Sequence, residues 1–220
     1  MPTEDSMREY YAQRAGEYER IYAIPARQGD IAALAKLLQD LLSGHDILEV
    51  ACGTGYWTEP LSHVARSITA TDVNSEVIEL AMKKPYPASK VRFQIADAYT
   101  LDGVQGDFTA GFAGFWWSHI PKLRLRPFLQ NFHSKLGPGR LVVLADNNYV
   151  EGEMHPIIRH DAEGNTYQVR KLESGMEFEV LKNIPDEADL RHLITGIADE
   201  VKYVSLKYYW CLSYRTTGES

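Results

Sequence analysis

The sequence predicts an α/β fold in which a seven-stranded, mostly parallel sheet has helices on both faces. Short apolar runs alternate with helical segments between residues 46 and 145, an order typical of parallel sheets with crossover helices. Gly53 and Gly55 come directly after the first apolar run. Two further apolar runs lie close together near the C-terminus and predict an antiparallel finish to the sheet.

The composition is typical of one globular domain that does not bind nucleic acid. The 220 residues are 45% hydrophobic and 24% charged, with a formal net charge of −7. Proteins that hold a phosphate backbone usually present a basic face. We therefore expect no nucleic-acid partner, and the oligomeric state stays open.

Neither export nor membrane insertion is expected. Cys52 and Cys211 are far apart, without the spacing of a disulfide framework or a metal site. Residues 1–11 lack the apolar core of a signal peptide, and no apolar run approaches the ~18 residues of a membrane span. We expect a soluble, cytoplasmic protein without a membrane partner.

The N-terminal region is predicted to be helical. A tyrosine-rich segment over residues 5–22 has the pattern of one helix, which Pro25 interrupts. A second amphipathic helix follows, with its leucines on one stripe, and ends at Ser43 and Gly44. Four side chains of the first segment are spaced three or four residues apart and would share one helix face: Tyr11, Arg14, Tyr18 and Tyr22.

Five strands and three helices are predicted in the middle of the chain. Each strand is a short apolar run, and each helix follows a turn at the end of a strand. The predicted strands cover residues 46–50, 67–71, 91–95, 108–112 and 140–145, and the predicted helices cover residues 57–64, 75–83 and 123–136.

The chain after the fifth strand departs from this alternation. Turn residues at 163–165 and 173–175 lie between alternating segments, which predicts a β-hairpin within residues 149–181. A helix over residues 186–195 and strands over 201–206 and 209–214 complete the prediction. Because the hairpin follows the fifth strand, we expect it over the carboxyl edge of the sheet, where open α/β sheets bind ligands.

The turn after the first strand indicates what kind of ligand it binds. Glu49 lies near the end of this strand, and Gly53 and Gly55 allow the backbone to approach a ligand closely. A dinucleotide-binding turn has a third glycine where this chain has Thr58, and a carboxylate is unfavourable beside a pyrophosphate. The same carboxylate suits an ammonium group. The pattern therefore favours a nucleoside with an amino-acid tail, which is S-adenosylmethionine.

Two further acids follow the next strands. Asp72 comes at the end of the second strand, where a carboxylate can accept hydrogen bonds from both hydroxyls of a ribose. Asp97 follows the third strand, where it can accept a hydrogen bond from an adenine amino group.

In this order, Glu49, the two glycines, Asp72 and Asp97 resemble motifs I to III of the class I S-adenosylmethionine-dependent methyltransferases of the small-molecule type. The resemblance covers residues 46–146 and, more loosely, the whole chain. It implies a Rossmann-like fold, S-adenosylmethionine as cofactor and S-adenosylhomocysteine as product. The residues that it assigns to the cofactor are Glu49, Ala51, Gly53, Thr54, Gly55, Asp72, Val73, Asp97, Ala98, Phe115 and Trp116.

The resemblance also bears on the N-terminal segment, because small-molecule methyltransferases often have a helical lid over the cofactor. On this basis we expect Tyr11, Arg14 and Tyr18 at the cofactor. A helix that only packs its aromatic side against the domain is an equal alternative.

The loop over residues 114–121 is aromatic and apolar with one histidine, His119. It lacks the Asn/Asp-Pro-Pro-aromatic sequence of enzymes that methylate base amines, and it offers no third oxygen ligand for a magnesium ion beside Asp146 and Asn147. We expect no metal, and a small, partly aromatic or hydrophobic acceptor that is methylated on oxygen or nitrogen. The residues expected at the acceptor are Tyr22, Trp117, His119 and Tyr149.

His119 is the candidate general base, because imidazole titrates near neutral pH. A histidine that only orients the loop or the acceptor is the alternative. Arg159, Tyr167 and Arg170 of the hairpin could also line the acceptor pocket, with a solvated hairpin as the alternative.

One methyltransferase domain is expected over residues 1–220. It comprises an N-terminal helical lid region (1–44), a cofactor-binding core (45–148), a hairpin cap (149–182) and a final helix with an antiparallel strand pair (183–220). Two other functions stay open: a non-catalytic protein that retains the S-adenosylmethionine-binding fold, and an NAD-dependent oxidoreductase.

Overall fold

The computed structural model describes residues 4–218, in which the chain forms six α-helices and ten strands. The helices are α1 (Glu4–Arg14), α2 (Gln28–Leu42), α3 (Thr58–Ser62), α4 (Ser75–Ala81), α5 (Lys122–Leu136) and α6 (Glu187–Ile194). The strands are β1 (Asp46–Val50), β2 (Ser67–Asp72), β3 (Val91–Ile95), β4 (Ala110–Gly114), β5 (Leu141–Asn147), β6 (Arg159–His160), β7 (Thr166–Lys171), β8 (Glu177–Leu181), β9 (Ala198–Ser205) and β10 (Tyr209–Thr216). Short 3-10 helices cover Tyr18–Ala23, Pro25–Arg27 and Trp117–His119.

Seven strands form one sheet in the order β3-β2-β1-β4-β5-β10-β9. The pairs among β1 to β5 are parallel, and β10 runs antiparallel to both β5 and β9. This arrangement confirms the predicted seven-stranded, mostly parallel, Rossmann-like sheet. The strand order reverses between β1 and β4, and open α/β sheets leave a ligand-binding crevice at such a point.

Two apolar clusters cover the two faces of the sheet. One contains Leu34 and Leu38 of α2, and the other contains Phe128 and Phe132 of α5. Gly111 of β4 allows α5 to lie close, because a Cβ atom at this position would be 2.5 Å from the ring of Phe132. No helix within residues 4–218 combines the length and apolar character that a bilayer crossing requires.

A smaller antiparallel sheet, β6-β7-β8, lies in the chain between β5 and α6. Strands β7 and β8 are the predicted hairpin, and β6 adds a third strand that the sequence pattern did not predict. Helix α1 packs against this sheet. Tyr10 of α1 forms a separate apolar cluster with Leu172 and Val180, and Phe178 packs against it.

The prediction of one helix over residues 5–22 is wrong. Helix α1 ends at Arg14, and the 3-10 helix begins at Tyr18. Between them, the backbone N–H of Glu17 donates to the carbonyl of Arg14 at 2.8 Å in a tight turn that contains Gly16, and glycine is a poor helix former. Tyr18 and Tyr22 therefore do not share an α-helix face with Tyr11.

The predicted fourth strand was also misplaced at its start. It begins at Ala110, although Phe108 is buried. A loop side chain can fill the core without pairing in the sheet, so the apolar pattern placed the start of the strand two residues too early.

Candidate active site

A cavity opens at the carboxyl ends of β1, β2, β3 and β4. Each strand contributes the first residues of the turn that follows it. Helix α1 and the smaller sheet contribute the facing wall, with Met7, Tyr11, Tyr167 and Leu181. The cavity thus lies between the parallel sheet and the β6-β7-β8 sheet, and both parts are needed to enclose it.

The turn after β1 has an unusual backbone and a buried acid beside it. Ala51 and Gly53 both have φ of 55°, and strained conformations of non-glycine residues such as Ala51 cluster at functional sites. Glu49 is 2% exposed, and its Oε2 atom has no hydrogen-bond partner among the described residues. Burial raises the pKa of Glu49 to about 8.

Carboxylates also lie at the ends of β2 and β3. Asp72 accepts hydrogen bonds from the backbone N–H groups of Gly53 and Asn74, at 2.9 and 3.0 Å. The first of these bonds ties the β1 turn to the end of β2. Asp97 accepts from the backbone N–H of Tyr99 at 2.7 Å. Both acids line the cavity.

His119 links the loop after β4 to the smaller sheet and to α1. Its Nδ1 lies 2.8 Å from the carbonyl oxygen of Leu181, and its Nε2 lies 2.7 Å from Tyr11 Oη. A carbonyl only accepts, so Nδ1 carries the proton and Nε2 accepts from the Tyr11 hydroxyl. Burial and the charge of Lys182 lower the pKa of His119 to about 3, against the opposing effect of Asp146.

Lys182 and Asp146 form a buried ion pair under this loop. Their side chains are 4% and 0% exposed, with 3.2 Å between Nζ and Oδ1. Lys182 also donates to Ser118 Oγ at 2.6 Å, and the backbone N–H of Ser118 donates to Asp146 Oδ2 at 2.9 Å. Burial opposes ionisation of Asp146, but Lys182 holds its pKa below the ordinary value. No motif in the sequence singles out Lys182, which follows the last residue of β8.

Two arginines without a carboxylate partner lie near Tyr11, although neither of them lines the cavity. Arg170 of β7 donates to Gln168 Oε1 at 2.6 Å, and Arg14 stacks over the rings of Tyr10 and Tyr18. Among the side chains that the structure describes (Met7 and residues 9–218), neither guanidinium forms an ion pair. Burial lowers the pKa of Arg170, and Arg14 is among the positive charges that lower it further.

Comparisons with known proteins decide the family. Residues 47–139 match a family model described as "Methyltransferase domain". The DhpI-SAM-HEP complex has a TM-score of 0.78 with 26% identity, over 96% of this chain and 96% of that chain. This chain is a class I S-adenosylmethionine-dependent methyltransferase. The finding decides against the oxidoreductase and against a non-catalytic protein.

More distant structures share the fold of this methyltransferase. The PH0226 protein from Pyrococcus horikoshii OT3 has a TM-score of 0.70 with 19% identity, over 91% of this chain and 99% of that chain. The magnesium protoporphyrin IX methyltransferase from Synechocystis PCC 6803 has a TM-score of 0.66 with 15% identity, over 98% and 100% of the two chains. A search of curated proteins finds no match.

The residues at the β1 and β2 ends of this methyltransferase fit S-adenosylmethionine. Glu49 has an unpartnered buried oxygen that an ammonium group can satisfy. Gly53 has open space where a side chain would begin, so a ligand can approach its backbone. Asp72 supplies a carboxylate in the cavity wall, as a ribose requires.

Most residues that the sequence assigned to a site lie together in the cavity wall of the methyltransferase. These residues are Tyr11, Tyr18, Ala51, Gly53, Thr54, Asp72, Val73, Asp97, Ala98, Phe115, Trp116 and His119. Six others do not line it: Arg14, Tyr22, Glu49, Gly55, Trp117 and Tyr149.

Several of these six have a structural explanation. Tyr22 stacks on Tyr56 with ring centroids 3.7 Å apart, and Trp117 is buried in the core. A Cβ atom at Gly55 would lie 2.5 Å from Tyr86 Oη, and the φ of 73° at this position also favours glycine. Tyr149 is 48% exposed.

Proposed function

We propose that this methyltransferase acts on an oxygen or nitrogen atom of a small acceptor that combines an aromatic or apolar part with an anionic group. The aromatic ring of Tyr167, in the part of the cavity wall that the smaller sheet forms, supports the apolar part. The two arginines without carboxylate partners support the anionic group. The acceptor is the partner, and no nucleic acid or membrane is involved.

The donor is proposed to lie along the carboxyl ends of β1 to β3. Glu49 would face its ammonium group, Asp72 its ribose hydroxyls and Asp97 its adenine amino group. When bound, S-adenosylmethionine supplies a methyl group on a positively charged sulfur, which leaves as the thioether S-adenosylhomocysteine. The backbone from Ala51 to Gly55 and the residues Val73, Ala98, Phe115 and Trp116 would complete the contacts, with Tyr11 and Tyr18 closing the site.

The unpaired arginines are the observation that carries the choice of an anionic acceptor. Removing a guanidinium from water without a counter-charge costs free energy. Arg170 and Arg14 are both partly buried, and both raise the positive potential at Tyr11. Arginine's planar fork suits carboxylate and phosphate groups. A bound anion would offset the cost, so we reassign Arg14 from the donor to the acceptor.

His119 is proposed as the general base for an acceptor that must lose a proton. It lines the cavity, and its Nε2 atom is not protonated. The ring is positioned by the carbonyl of Leu181, so the nitrogen that can accept a proton is directed towards Tyr11 and the cavity.

Matched pairs of acceptors test the anionic requirement. Purified protein and methyl-labelled S-adenosylmethionine are incubated with para-hydroxybenzoate or phenol, with glycerol phosphate or glycerol, and with glycine or ethylamine. We expect label only in anionic members. Equal labelling of the neutral members contradicts the proposal.

The variant Arg170→Gln tests whether Arg170 binds the anionic group of the acceptor. We expect KM for the labelled acceptor to rise more than about tenfold, equivalent to about 1.4 kcal/mol, with the Kd of S-adenosylhomocysteine unchanged by calorimetry. The control is Arg126→Gln, because Arg126 also lacks an ion pair among the described residues but donates to the carbonyls of Leu193 and Thr195. An unchanged KM in Arg170→Gln removes this residue from the acceptor site.

Residues 1–220 are proposed to act as one domain in the cytoplasm, with the boundaries given above for the lid region, core, cap and final elements. Two free cysteines, Cys52 and Cys211, support a reducing compartment.

A further inference from the structure

The pair formed by Tyr11 and His119 joins two parts of the chain that are far apart in sequence. Tyr11 lies on α1, and His119 ends the 3-10 helix after β4. Tyr11 Oη and His119 Nε2 are 2.7 Å apart, and the two ring centroids are 5.3 Å apart in an edge-on arrangement. Both side chains line the cavity.

The direction of the hydrogen bond follows from the far side of the imidazole. The Leu181 carbonyl lies 2.8 Å from Nδ1, so the neutral ring has its proton on Nδ1 and a lone pair on Nε2. Tyr11 must therefore donate. Burial raises the pKa of Tyr11 well above its ordinary value, which keeps this hydroxyl protonated.

The position of Tyr11 decides how a proton can reach His119. Among the described residues, only Tyr11 hydrogen-bonds to Nε2. An acceptor could contact this nitrogen directly only by displacing the Tyr11 hydroxyl. The oxygen of that hydroxyl still has a lone pair that can accept, so it can bond to an acceptor and to Nε2 at the same time.

We propose that Tyr11 is a catalytic residue that passes the acceptor's proton to His119. The inference rests on the function proposed above. The acceptor's O–H or N–H bond breaks, and its proton goes to Tyr11 Oη while the phenolic proton of Tyr11 goes to Nε2. The electron pair of the broken bond forms the new bond to the methyl carbon. The electron pair of the carbon–sulfur bond stays on sulfur.

The charges around His119 make this transfer depend on the acceptor. The resulting imidazolium faces Asp146 of β5, which stabilises it, and Lys182 and Arg170 of the cap, which oppose it. An anionic group paired with Arg170 would reduce the opposing potential. His119 would then become a stronger base in the presence of the anionic acceptor that is about to be methylated.

Docking of α1 positions the relay. The ring of Tyr10 lies 5.4 Å from that of Phe178 of β8, in the small cluster that also contains Leu172 and Val180. Leu181, three residues after Phe178 on the same strand, accepts the hydrogen bond from Nδ1 of His119 through its carbonyl oxygen. The same short strand thus holds both the helix that carries Tyr11 and the imidazole that takes the proton.

The test compares Tyr11→Phe with a second tyrosine–histidine pair as control. Tyr214 Oη lies 2.8 Å from His133 Nε2, away from the residues that line the cavity. With para-hydroxybenzoate as acceptor, we expect Tyr11→Phe to lower kcat by at least about 100-fold. The Kd of S-adenosylhomocysteine is expected to stay unchanged, because phenylalanine keeps the ring that closes the site. Tyr214→Phe is expected to keep the wild-type kcat.

A more acidic acceptor distinguishes proton transfer from a structural role. The ring-nitrated derivative of para-hydroxybenzoate is largely ionised near neutral pH and needs no base. If Tyr11 relays a proton, the loss in Tyr11→Phe largely disappears with this acceptor. An equal loss with both acceptors, or no loss with either, overturns the proposal.

The tautomer of His119 gives a result that does not need an acceptor. Long-range nitrogen–proton NMR of the protein with S-adenosylhomocysteine is expected to show the proton on Nδ1 and a bare Nε2. A proton on Nε2 overturns the relay, because that nitrogen could accept no further proton. If none of the acceptors tested is methylated, that result contradicts the proposed function and not the relay. The NMR measurement of the His119 tautomer then tests the relay.

Discussion

Glu49 is a carboxylic acid whose environment favours the neutral form. It lies in a strand that is buried on both faces, and its Oε2 atom has no partner among the described residues. Burial raises its pKa to about 8. At pH 7, Glu49 is therefore protonated in most protein molecules that have no S-adenosylmethionine bound. An ammonium group beside it would favour the ionised form. Donor binding and proton release should therefore be linked.

This linkage can be measured by calorimetry. At pH 7, S-adenosylhomocysteine is titrated into the protein in buffers that differ in ionisation enthalpy. We expect release of close to one proton in wild type and almost none in Glu49→Gln, which has no proton to lose. Glu59→Gln is the control, because Glu59 is partly exposed and not in the cavity wall. Equal proton release in wild type and Glu49→Gln would show that Glu49 does not face the ammonium group.

At the residue scale, the sequence located the acids at the strand ends better than the charged residues of the smaller sheet. Glu49, Asp72 and Asp97 each come near the end of a parallel strand, and such strand ends meet at one edge of the sheet. Lys182 and Arg170 lie on or beside an antiparallel hairpin, whose alternate residues point to opposite faces. Which face turns inward depends on how the hairpin packs on the sheet, and local sequence does not specify that.

At the scale of elements, buried polar contacts join the smaller sheet to the core. Lys182 pairs with Asp146 of β5, and Asn183 donates from its backbone N–H to the carbonyl of Ser118 at 2.7 Å. The side-chain amide of Asn183 also donates to the carbonyl of Ile120 at 3.0 Å. The end of β8 is thereby fixed to the loop that carries His119.

Removing Lys182 should lower the free energy of unfolding by more than the net stabilisation that the Lys182–Asp146 pair provides. Lys182→Met leaves the Asp146 carboxylate buried without a counter-charge, and we expect the free energy of unfolding to fall by about 3–5 kcal/mol. Urea denaturation measures this change. Lys171→Met is the control, with an exposed pair to Glu177 at 3.9 Å and an expected effect within about 1 kcal/mol.

The double variant Lys182→Met, Asp146→Asn checks the cause. It should recover much of the loss, since no charge is then left buried. If the single variant is as stable as wild type, the ion pair does not hold the smaller sheet in place.

Apolar periodicity predicted the elements of the core, because four of the five parallel strands (β1, β2, β4 and β5) are continuous buried runs. It failed where packing is local. The segment after α1 has helical spacing up to Tyr22, yet the chain turns at Gly16. Strand β6 has only two residues and no alternation to detect. Its pairing with β7 depends on tertiary packing and not on the local sequence.

For the whole molecule, stability should depend on pH through buried histidines. Burial lowers the pKa of His133 to about 4 and, with Lys182, that of His119 to about 3. Between these values and pH 6.5, the unfolded chain binds protons that the folded chain does not, so stability falls as the pH falls through this window. Glu49 acts in the opposite direction: its raised pKa stabilises the fold at low pH and loses that effect as the pH rises through about 8.

The contribution of His133 can be isolated with His133→Gln. From pH 6.5 to pH 4, this variant should lose about 3 kcal/mol less of its free energy of unfolding than wild type. Its stability at pH 6.5 is expected to be lower, because the hydrogen bond to Tyr214 is lost. Urea denaturation at a series of pH values measures both effects. Parallel pH dependence in the two proteins would mean that His133 titrates normally in the fold.

The bond from the His119 ring to Leu181 uses the main chain of the smaller sheet. Every amino acid has the same carbonyl oxygen, so replacing the side chain at position 181 leaves that interaction available. Homologous enzymes could therefore exchange the side chains along this strand, and with them the shape offered to different acceptors, while the proton on the imidazole stays on the same nitrogen. Only a shift of this strand by one residue would take the carbonyl oxygen away from Nδ1 of His119.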